Sequence, residues 1–513
     1  MTSLLVPAIL ALLATMAVVP PIVRIARARG LLDHPDGSRR VHQHPVPRLG
    51  GIALWLGASV GLAGWWLMIG PGRSFGGLPS WTPGAVAGLL VMLATGLVDD
   101  IRGIQPRHKL LAQFVAAGLA VAGGFRLDVL SLGGDVALPL GWAAAPLSLL
   151  WIVAVTNAIN LIDGLDGLAG GITLVSMAAL AVSALFSGNV AVLPVLLAIF
   201  GGTIGFLRYN HSPATIFLGD VGSLSLGYAL ALLSVEGARL PNGSVAIVVA
   251  TFALAFPFLD ITIAMLRRWL RGAPLMAADG RHVHHQLLAL GLSHPRAVAL
   301  ICLFAGGMAL LGLSITYAPP AMTLVVITLG SAVWVLLVVH GARWLHYHEL
   351  IEAQASFASG FLKARRVIQD RIRARELEIQ IRQCGTLEQL ELLLVQSPTA
   401  LGLEGMALCG PRDATIGFSN ELALRGAPDR VLRLDCPLAL RPGSEPLILR
   451  VWWRRCPGRP TMYAERIISV LTPALEDRLP DLMLARAQSI KSEPMVGGGR
   501  RARSYSGGNV ALR

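Results

Sequence analysis

The chain has 513 residues, of which 54% are hydrophobic and 14% are charged, and its formal net charge is +13. A soluble domain carries about 25% charged residues, so this composition excludes an ordinary soluble protein and indicates an integral membrane protein. The basic residues follow the predicted membrane topology and suit anionic lipid. The positive charge therefore does not require a nucleic-acid partner.

Eleven apolar segments are predicted to cross the membrane as helices, because each has roughly the 17–22 residues that span a hydrocarbon core of about 30 Å. The first is interpreted as a retained helix rather than a signal peptide, because an arginine cluster follows its long apolar region. The predicted fold class is an all-α polytopic membrane protein with a small C-terminal α+β cytoplasmic domain. The segments lie near residues 3–23, 50–70, 83–100, 108–124, 142–157, 169–187, 190–207, 217–234, 246–266, 297–314 and 321–339.

Basic residues are concentrated in the loops on one side of this pattern. Short cytoplasmic loops of membrane proteins carry an excess of Lys and Arg, so these loops are assigned to the cytoplasm. The N-terminus is then predicted to lie outside and the C-terminal tail inside. The basic loops are residues 24–49, 101–108, 158–168, 208–216 and 267–296, whereas the opposite loops supply Arg73, Arg126 and Arg239.

The composition changes beyond the membrane domain, which is predicted to comprise residues 1–340. Residues 341–384 are charged and helix-favouring, and they are interpreted as a connector. Residues 385–482 combine helix-like and strand-like runs typical of a small α+β domain, and their strand–strand–helix ending resembles GAF-type sensor domains. Residues 483–513 are rich in Gly, Ser and Arg and are predicted to be a disordered basic tail.

Residues 156–171 are the most informative stretch, because they place polar groups directly after a long apolar segment. An Asp at the centre of a membrane helix costs at least ~2.5 kcal/mol, so the stretch predicts a site for a cation or a phosphate. Gly164 and Gly167 are expected to end the helix, which lets the chain fold its carboxylates back towards a common site. The polar groups recur at every third position: Asn157, Asn160, Asp163 and Asp166.

Two adjacent carboxylates, Asp99 and Asp100, end the third segment, and Lys109 begins the fourth. Adjacent carboxylates repel one another unless a cation or proton intervenes, so the pair predicts Mg²⁺ binding or general-base work. The alternative is a solvated helix end with a salt bridge. Asp220 lies between two glycines where an apolar helix begins, and it could hold a metal against a phosphate or serve as a plain N-cap.

Two further clusters on the predicted cytoplasmic face are rich in cationic and imidazole side chains. Residues 33–51 suit either an ordered anion-binding loop or an ordinary positive-inside loop. The loop at 267–296 offers no cysteine and little carboxylate, so it suits a nucleotide pyrophosphate better than zinc. Its donors are Arg281, His282, His284 and His285.

The chain resembles the polyprenyl-phosphate N-acetylhexosamine-1-phosphate transferases over roughly residues 20–340. The shared motifs follow one order: D-x-P…H…P-x-P-x-x-G-G, D-D…P-x-x-K-x-x-x-Q, N-A-x-N-x-x-D-G-x-D-G-L, F-x-G-D-x-G-S and H-x-H-H. The pentapeptide branch of this family usually has three consecutive histidines, so the spacing here resembles the UDP-N-acetylglucosamine branch. The family often has Ser-Pro-Phe where this chain has Ala273-Pro274-Leu275, a departure that concerns the donor sugar more than the reaction.

The resemblance implies an enzyme that transfers a HexNAc-1-phosphate, above all GlcNAc-1-phosphate, from a UDP-sugar to undecaprenyl phosphate. UMP would be released at the cytoplasmic face of a bacterial inner membrane, in the first membrane step of an envelope polysaccharide. The implied partners are polyprenyl phosphate, UDP-N-acetylhexosamine and membrane lipid, with a homodimer as an open alternative. The implied site is catalytic Asp99, Asp100 and Lys109, a Mg²⁺ or Mn²⁺ site at Asp220 and Asn160, and nucleotide-sugar contacts from Asp163, Asp166, Arg281, His282, His284 and His285.

The resemblance makes Asp99 the usual candidate base and places Lys109 near the lipid phosphate. A phosphomonoester has its second pKa near ~6, so the attacking oxygen is already mostly deprotonated at neutral pH. We therefore expect Asp99 chiefly to position charge. Three alternatives stay open: a pentapeptide-branch transferase, a polytopic transporter, and a membrane sensor with an inactive site. A transporter is disfavoured because its polar site would lie near the bilayer midplane between repeated halves.

Overall fold

The computed structural model describes residues 2–33, 45–69, 79–131, 137–271, 282–344, 361–401, 403, 405–409, 431–438, 447–454 and 462–492. The chain divides into two compact units. One comprises Met1–Trp269 and Ala273–His346, and the other comprises Leu270–Gly272 and Tyr347–Arg513. The limits predicted for the four domains stay predictions.

The first unit is mainly helical. Its helices are α1 (Thr2–Ala28), α2 (Gly50–Ile69), α3 (Thr82–Arg102), α4 (Pro106–Ala122), α5 (Ala144–Ile162), α6 (Leu168–Ser187), α7 (Leu193–Asn210), α8 (Gly219–Gly237), α9 (Ile247–Ala253), α10 (Ala255–Arg271), α11 (Val283–Ala289), α12 (His294–Tyr317) and α13 (Pro320–Trp344). Short strands join them: β1 (Leu32–Asp33) pairs with β2 (Val46–Pro47), and β3 (Val129–Ser131) pairs with β4 (Ala137–Pro139) and β5 (Val245–Ala246).

Each of the eleven predicted segments contains a helix, so the predicted helices are confirmed. Within the described residues, seven helices are long and apolar enough to cross a membrane, and an eighth span results if α9 and α10 are joined. Two of the predicted spans that are not among these seven are α4, which has only 17 residues, and α8, which carries two acidic residues, Asp220 and Glu236. The chain thus has the helices of a multi-pass membrane protein, while the count of eleven spans is not confirmed.

Helix α8 lies at the centre of the first unit, with residues 221–237 all buried. It packs against α2, α3, α5 and α6. Two of these crossings bring backbones into contact: a Cβ on Gly96 of α3 would overlap Val221, and a Cβ on Gly51 of α2 would overlap Gly222. Small residues allow this close approach between membrane helices. The N-terminus of α8, where Asp220 lies, is therefore closely packed between α2 and α3.

Two elements differ from the sequence prediction. The segment predicted as one helix at 246–266 is broken at Leu254, where α9 and α10 meet with a 73° bend. Helix α5 continues to Ile162, so Asn160 lies inside the helix and not in the predicted loop 158–168. The short strands of the first unit were not predicted, because two- or three-residue strands have no detectable periodicity.

The second unit combines helices with an antiparallel sheet. The helices are α14 (Phe361–Gln383), α15 (Leu387–Ala400) and α16 (Met462–Ser492), and the strands are β6 (Gly405–Cys409), β7 (Val431–Leu438) and β8 (Leu447–Arg454), in the order β6–β8–β7. Strands β7 and β8 followed by the last helix match the predicted strand–strand–helix ending, whereas β6 was not predicted, and the small α+β domain itself stays a prediction. Residues 483–492 are helical rather than disordered, and 493–513 lie outside the described residues. The GAF likeness stays a prediction.

Candidate active site

A bridge between carboxylates and a lysine joins three helices at one end of the first unit. Nζ of Lys109, in the first turn of α4, lies 2.7 Å from Oδ2 of Asp99 on α3. The same ammonium contacts Oδ2 of Asp220 on α8. Oδ1 of Asp99 also accepts a hydrogen bond of 2.6 Å from the backbone N–H of Ile104. Both oxygens of Asp99 therefore have donors, which favours a role in holding Lys109.

Asp100 holds the N-terminus of α8. Its two carboxylate oxygens accept hydrogen bonds of 2.9 Å from the backbone N–H groups of Asp220 and Val221. These groups have no partner within their own helix, and a carboxylate at that position also suits the helix dipole. Gly219 has φ +73° and a Cβ there would collide with the carbonyl of Arg48, so the approach of Asp100 requires a glycine. Asp100 thus fixes the backbone from which Asp220 projects.

Asn160 braces Asp220 from the neighbouring helix α5. Its Nδ2 donates hydrogen bonds of 2.8 Å to Oδ1 of Asp220 and to Oγ of Ser223. The structure thus brings the two predicted metal ligands together, with the amide nitrogen of Asn160 towards the carboxylate. The ligand role of Asn160 stays a prediction. Ser223, one turn along α8, was not predicted.

The carboxylate loop, residues 163–167, joins α5 to α6. Helix α5 ends at Ile162, two residues before the first of the two predicted helix-ending glycines, and Gly167 directly precedes α6. Asp166 accepts a hydrogen bond of 3.0 Å from the backbone N–H of Ala214, so it is tied to the loop after α7. Asn210 connects the same two loops. Its Oδ1 accepts a hydrogen bond of 2.9 Å from the backbone N–H of Gly167, and its Nδ2 donates one of 2.9 Å to the carbonyl oxygen of Ile216. Asn210 was missed, since one amide at the end of an apolar helix carries no distinctive signal.

Asp163 has the most perturbed environment of the loop. Burial raises the pKa of Asp163 well above its usual range, and the negative charges of Asp220, Asp100 and Asp166 raise it further. A carboxylate among three others is destabilised in its charged form unless a cation or a proton accompanies it. This corner of the site therefore favours a bound cation.

A cavity of about 900 Å³ opens between these elements, within the usual range of small-molecule sites. Its wall includes Arg48, which forms an ion pair with Asp33 between β1 and β2. His294 at the start of α12 also lines it, and Nδ1 of His294 is buried without a hydrogen-bond partner. Neither Arg48 nor His294 was predicted individually. The predicted residues on the cavity wall are Asp100, Asp163, Asp166 and Asp220.

The histidine motif lies beside the carboxylate loop. The rings of His282 and His284 stack with centroids 5.7 Å apart, and His284 and His285 are 4.3 Å apart. His284 is 1% exposed, and neither of its ring nitrogens has a partner. Burial first, and then His285, lower the pKa of His284 to about 3, so its ring is neutral at physiological pH. The pKa of His285 is also lowered by burial. Arg281 lies outside the described residues.

The Mg²⁺ site is predicted at Asp220 and Asn160, whereas Asp163 is predicted on the nucleotide side. In the structure Asp163 is a second carboxylate on the same cavity wall as Asp220, and this pair of oxygen donors suits Mg²⁺. Within the described ranges, no three Asp, Glu, His or Cys side chains form a ready-made metal cage. Mg²⁺ seldom uses an all-protein cage, because it is usually held by one or two carboxylates together with substrate phosphates and water. The two aspartates line one cavity and supply only oxygen ligands. A cation bound there would offset the crowding of negative charge around Asp163.

Comparison with known proteins points to one family. The model of "Glycosyl transferase family 4" matches residues 82–238. The chain is 36% identical over 306 residues to a probable undecaprenyl-phosphate N-acetylglucosaminyl 1-phosphate transferase of Bacillus subtilis, covering 59% of this chain and 82% of the relative. It is 34% identical to a decaprenyl-phosphate N-acetylglucosaminephosphotransferase of Mycolicibacterium smegmatis, covering 62% and 83%. A phospho-N-acetylmuramoyl-pentapeptide-transferase of Desulforamulus reducens is 32% identical, covering 52% and 81%.

Proposed function

The chain belongs to glycosyl transferase family 4, and from that premise we propose that it transfers N-acetylglucosamine 1-phosphate from UDP-N-acetylglucosamine to undecaprenyl phosphate. The observation that carries the proposal is the convergence of Asp99, Lys109 and Asp220 beside a cavity of about 900 Å³. A cavity of this volume is large enough for a nucleotide sugar. The relatives that act on undecaprenyl and decaprenyl phosphate support the choice of acceptor and sugar.

The proposed reaction exchanges one phosphoanhydride for another. An oxygen of the polyprenyl phosphate attacks the β-phosphorus of the UDP-sugar, and the bond between that phosphorus and the bridging oxygen breaks. The electron pair of the broken bond leaves with UMP, and the product is a lipid diphosphate sugar. The anionic nucleophile must approach an anionic diphosphate, so positive charge has to be positioned at both groups.

Lys109 is proposed to meet the phosphate of the acceptor. Its ammonium is half-buried at the start of α4, where it can exchange a carboxylate partner for a phosphate oxygen. Asp99 keeps the ammonium in place through the contact of 2.7 Å. The incoming phosphate is already largely deprotonated at neutral pH, so this arrangement needs no base.

Asp220 and Asp163 are proposed to hold Mg²⁺ against the diphosphate of the donor. The ion would supply charge neutralisation at the phosphates. Asn160 keeps the carboxylate of Asp220 oriented, and Asp100 keeps the start of α8 in place. Asp166 and the histidine motif are assigned to the nucleotide sugar, with His284 as the buried, neutral member of that motif.

The proposed membrane arrangement places the site at the cytoplasmic face of a bacterial inner membrane. All eleven predicted segments would then be spans, with the second unit in the cytoplasm. The asymmetry of basic loops supports this orientation. A site at helix ends lets a cytosolic donor and a membrane-anchored acceptor meet.

The test is UMP release by the full-length protein in nanodiscs. Undecaprenyl phosphate would be combined in turn with UDP-GlcNAc, UDP-GalNAc and UDP-MurNAc-pentapeptide, with Mg²⁺ or with EDTA. We expect release with UDP-GlcNAc, dependent on acceptor and on Mg²⁺, and its loss in Asp220→Ala. Glu236→Gln, which alters an acid at the opposite end of α8, is the matched control. Absence of UMP release with every UDP-sugar would refute the proposal.

A further inference from the structure

Asp260 is a buried carboxylate to which the proposed reaction assigns no role. It lies on α10, six residues after the break at Leu254, and is 1% exposed. A charged side chain in such a position is costly unless its hydrogen bonds are satisfied. The buried carboxylate of Asp260 is therefore expected to have a specific hydrogen-bond partner.

That partner is the start of the histidine motif. Oδ2 of Asp260 lies 2.7 Å from Nδ1 of His282, and Oδ1 accepts a hydrogen bond of 2.8 Å from the backbone N–H of Val283. A carboxylate only accepts, so Nδ1 of His282 carries the hydrogen and Nε2 is left for another group. His282 is the residue that precedes α11, so Asp260 fixes a side chain and a helix start together.

The ring of His282 in turn stacks on that of His284, and His284 approaches the carboxylate loop. The ring of His284 stacks on that of His282 with an interplanar angle of 6°. Nε2 of His284 lies 2.7 Å from where a Cβ on Gly164 would stand. Gly164 lies directly beside Asp163 in the loop that lines the cavity. A continuous packed path thus runs from Asp260 through two rings to this loop.

We propose that Asp260 is a positioning residue for the nucleotide-sugar half of the site. It sets the tautomer and orientation of His282 and, through the stacked rings, seats the histidine motif against the carboxylate loop. The inference rests on the proposed function, because it assigns Asp260 to the binding of the UDP-sugar rather than of the lipid phosphate. Lys109, which faces the acceptor, belongs to a separate cluster on α3, α4 and α8.

The test uses steady-state kinetics of the full-length protein in nanodiscs, with UDP-GlcNAc and undecaprenyl phosphate varied separately. Mutating a residue that hydrogen-bonds a metal-binding histidine typically lowers activity or metal affinity about 10–100-fold, and we take this range as the guide here. We expect Asp260→Asn to raise the KM for UDP-GlcNAc by roughly tenfold or more and to leave the KM for undecaprenyl phosphate unchanged. Asp260→Glu should recover part of the loss. Simple loss of folded protein would lower kcat alone and leave both KM values unchanged.

A double-mutant cycle with His282→Gln tests whether Asp260 acts through the histidine. Coupled residues give non-additive effects. Asp260→Asn should therefore raise the KM for UDP-GlcNAc little further in the His282→Gln background. Glu236→Gln, a buried acid paired with Arg239, is the control and should leave both KM values unchanged. Multiplicative effects in the cycle, or an unchanged donor KM, would overturn the inference. A wild-type protein without transferase activity would instead refute the proposed function.

Discussion

Nζ of Lys109 lies 2.7 Å from Oδ2 of Asp99 and also contacts Oδ2 of Asp220, so one ammonium joins the carboxylates of α3 and α8. Removing it would leave two half-buried carboxylates facing each other and no cation for the acceptor phosphate. We expect Lys109→Met to lower kcat by at least about 100-fold, the loss typical of one transition-state donor.

Lys109→Arg should rescue little of that loss, because a planar guanidinium cannot replace a compact ammonium between two carboxylates. Arg107→Met, which removes an exposed cation two residues earlier in α4, is the matched control. UMP release at saturating substrates is the measurement. Near-normal kcat in Lys109→Met would show that the acceptor phosphate is held elsewhere.

The pH–rate profile of Asp99→Asn distinguishes positioning from base catalysis. Both oxygens of Asp99 are occupied, by Lys109 and by Ile104 N. If Asp99 only positions Lys109, we expect the variant to lose roughly ten- to hundredfold in kcat/KM at every pH, with an unchanged profile. Full recovery of activity above about pH 8 would restore the base role.

Asp163→Asn should stabilise the metal-free protein and abolish its response to Mg²⁺. The pKa of Asp163 is raised in the folded state, so the folded protein binds a proton there more tightly than the unfolded chain does. Its contribution to stability is present at low pH and is lost as pH rises through the raised pKa. The gain from Asp163→Asn should therefore be larger near about pH 8 than near about pH 5.

Thermal unfolding in EDTA and in Mg²⁺ measures both effects of Asp163→Asn. We expect the Tm in EDTA to rise by about 2 °C or more and the increase on adding Mg²⁺ to disappear. Asp128→Asn, an exposed acid in the loop after α4, is the control. A variant that keeps the full Mg²⁺ response would place the ion away from Asp163.

His284 is expected to make the protein sensitive to acid. Its pKa is lowered to about 3 in the folded state, against 6.5 as the ordinary value. Below about pH 6.5, His284 binds a proton in the unfolded chain but not in the folded protein. Stability therefore falls as pH decreases from about 6.5 towards about 3. The Tm of His284→Gln should fall less steeply over this range than that of the wild type. His340→Gln, at an exposed position of α13, should keep the wild-type slope.

Gly96 tests the close packing that supports Asp220. A Cβ at this position would overlap Val221 Cα and the carbonyl oxygen of Asp220, so Gly96→Ala must force α3 away from α8. Overpacking of this kind costs about 1–3 kcal/mol. Gly118→Ala in α4, where nothing lies within 4 Å, is the control and should be neutral or slightly stabilising. Equal Tm values for the two variants would show that α3 can move away from α8 without loss of stability.

The sequence was informative where polar residues interrupt an apolar pattern. Asp99, Asp163 and Asp220 could be recognised for that reason, and so could the helices that carry them. Asp260 was not, because it is a lone acid inside an apolar run and its partner His282 is 22 positions away. The three-residue spacing of Asn160 and Asp163 likewise did not reveal that Asn160 lies in the last turn of α5 whereas Asp163 lies just beyond its end.

The burial of α8 on all sides has a consequence for how the protein responds to its lipid surroundings. A helix of 19 residues is about 28 Å long, close to the hydrocarbon thickness of a bilayer. Asp220 stands at one end of it, and the ion pair of Glu236 with Arg239 stands at the other. Because its neighbours surround this helix, a thicker or thinner bilayer would tilt the peripheral helices first. The depth of Asp220 is therefore set by protein packing, and turnover should depend little on the acyl-chain length of the surrounding lipid.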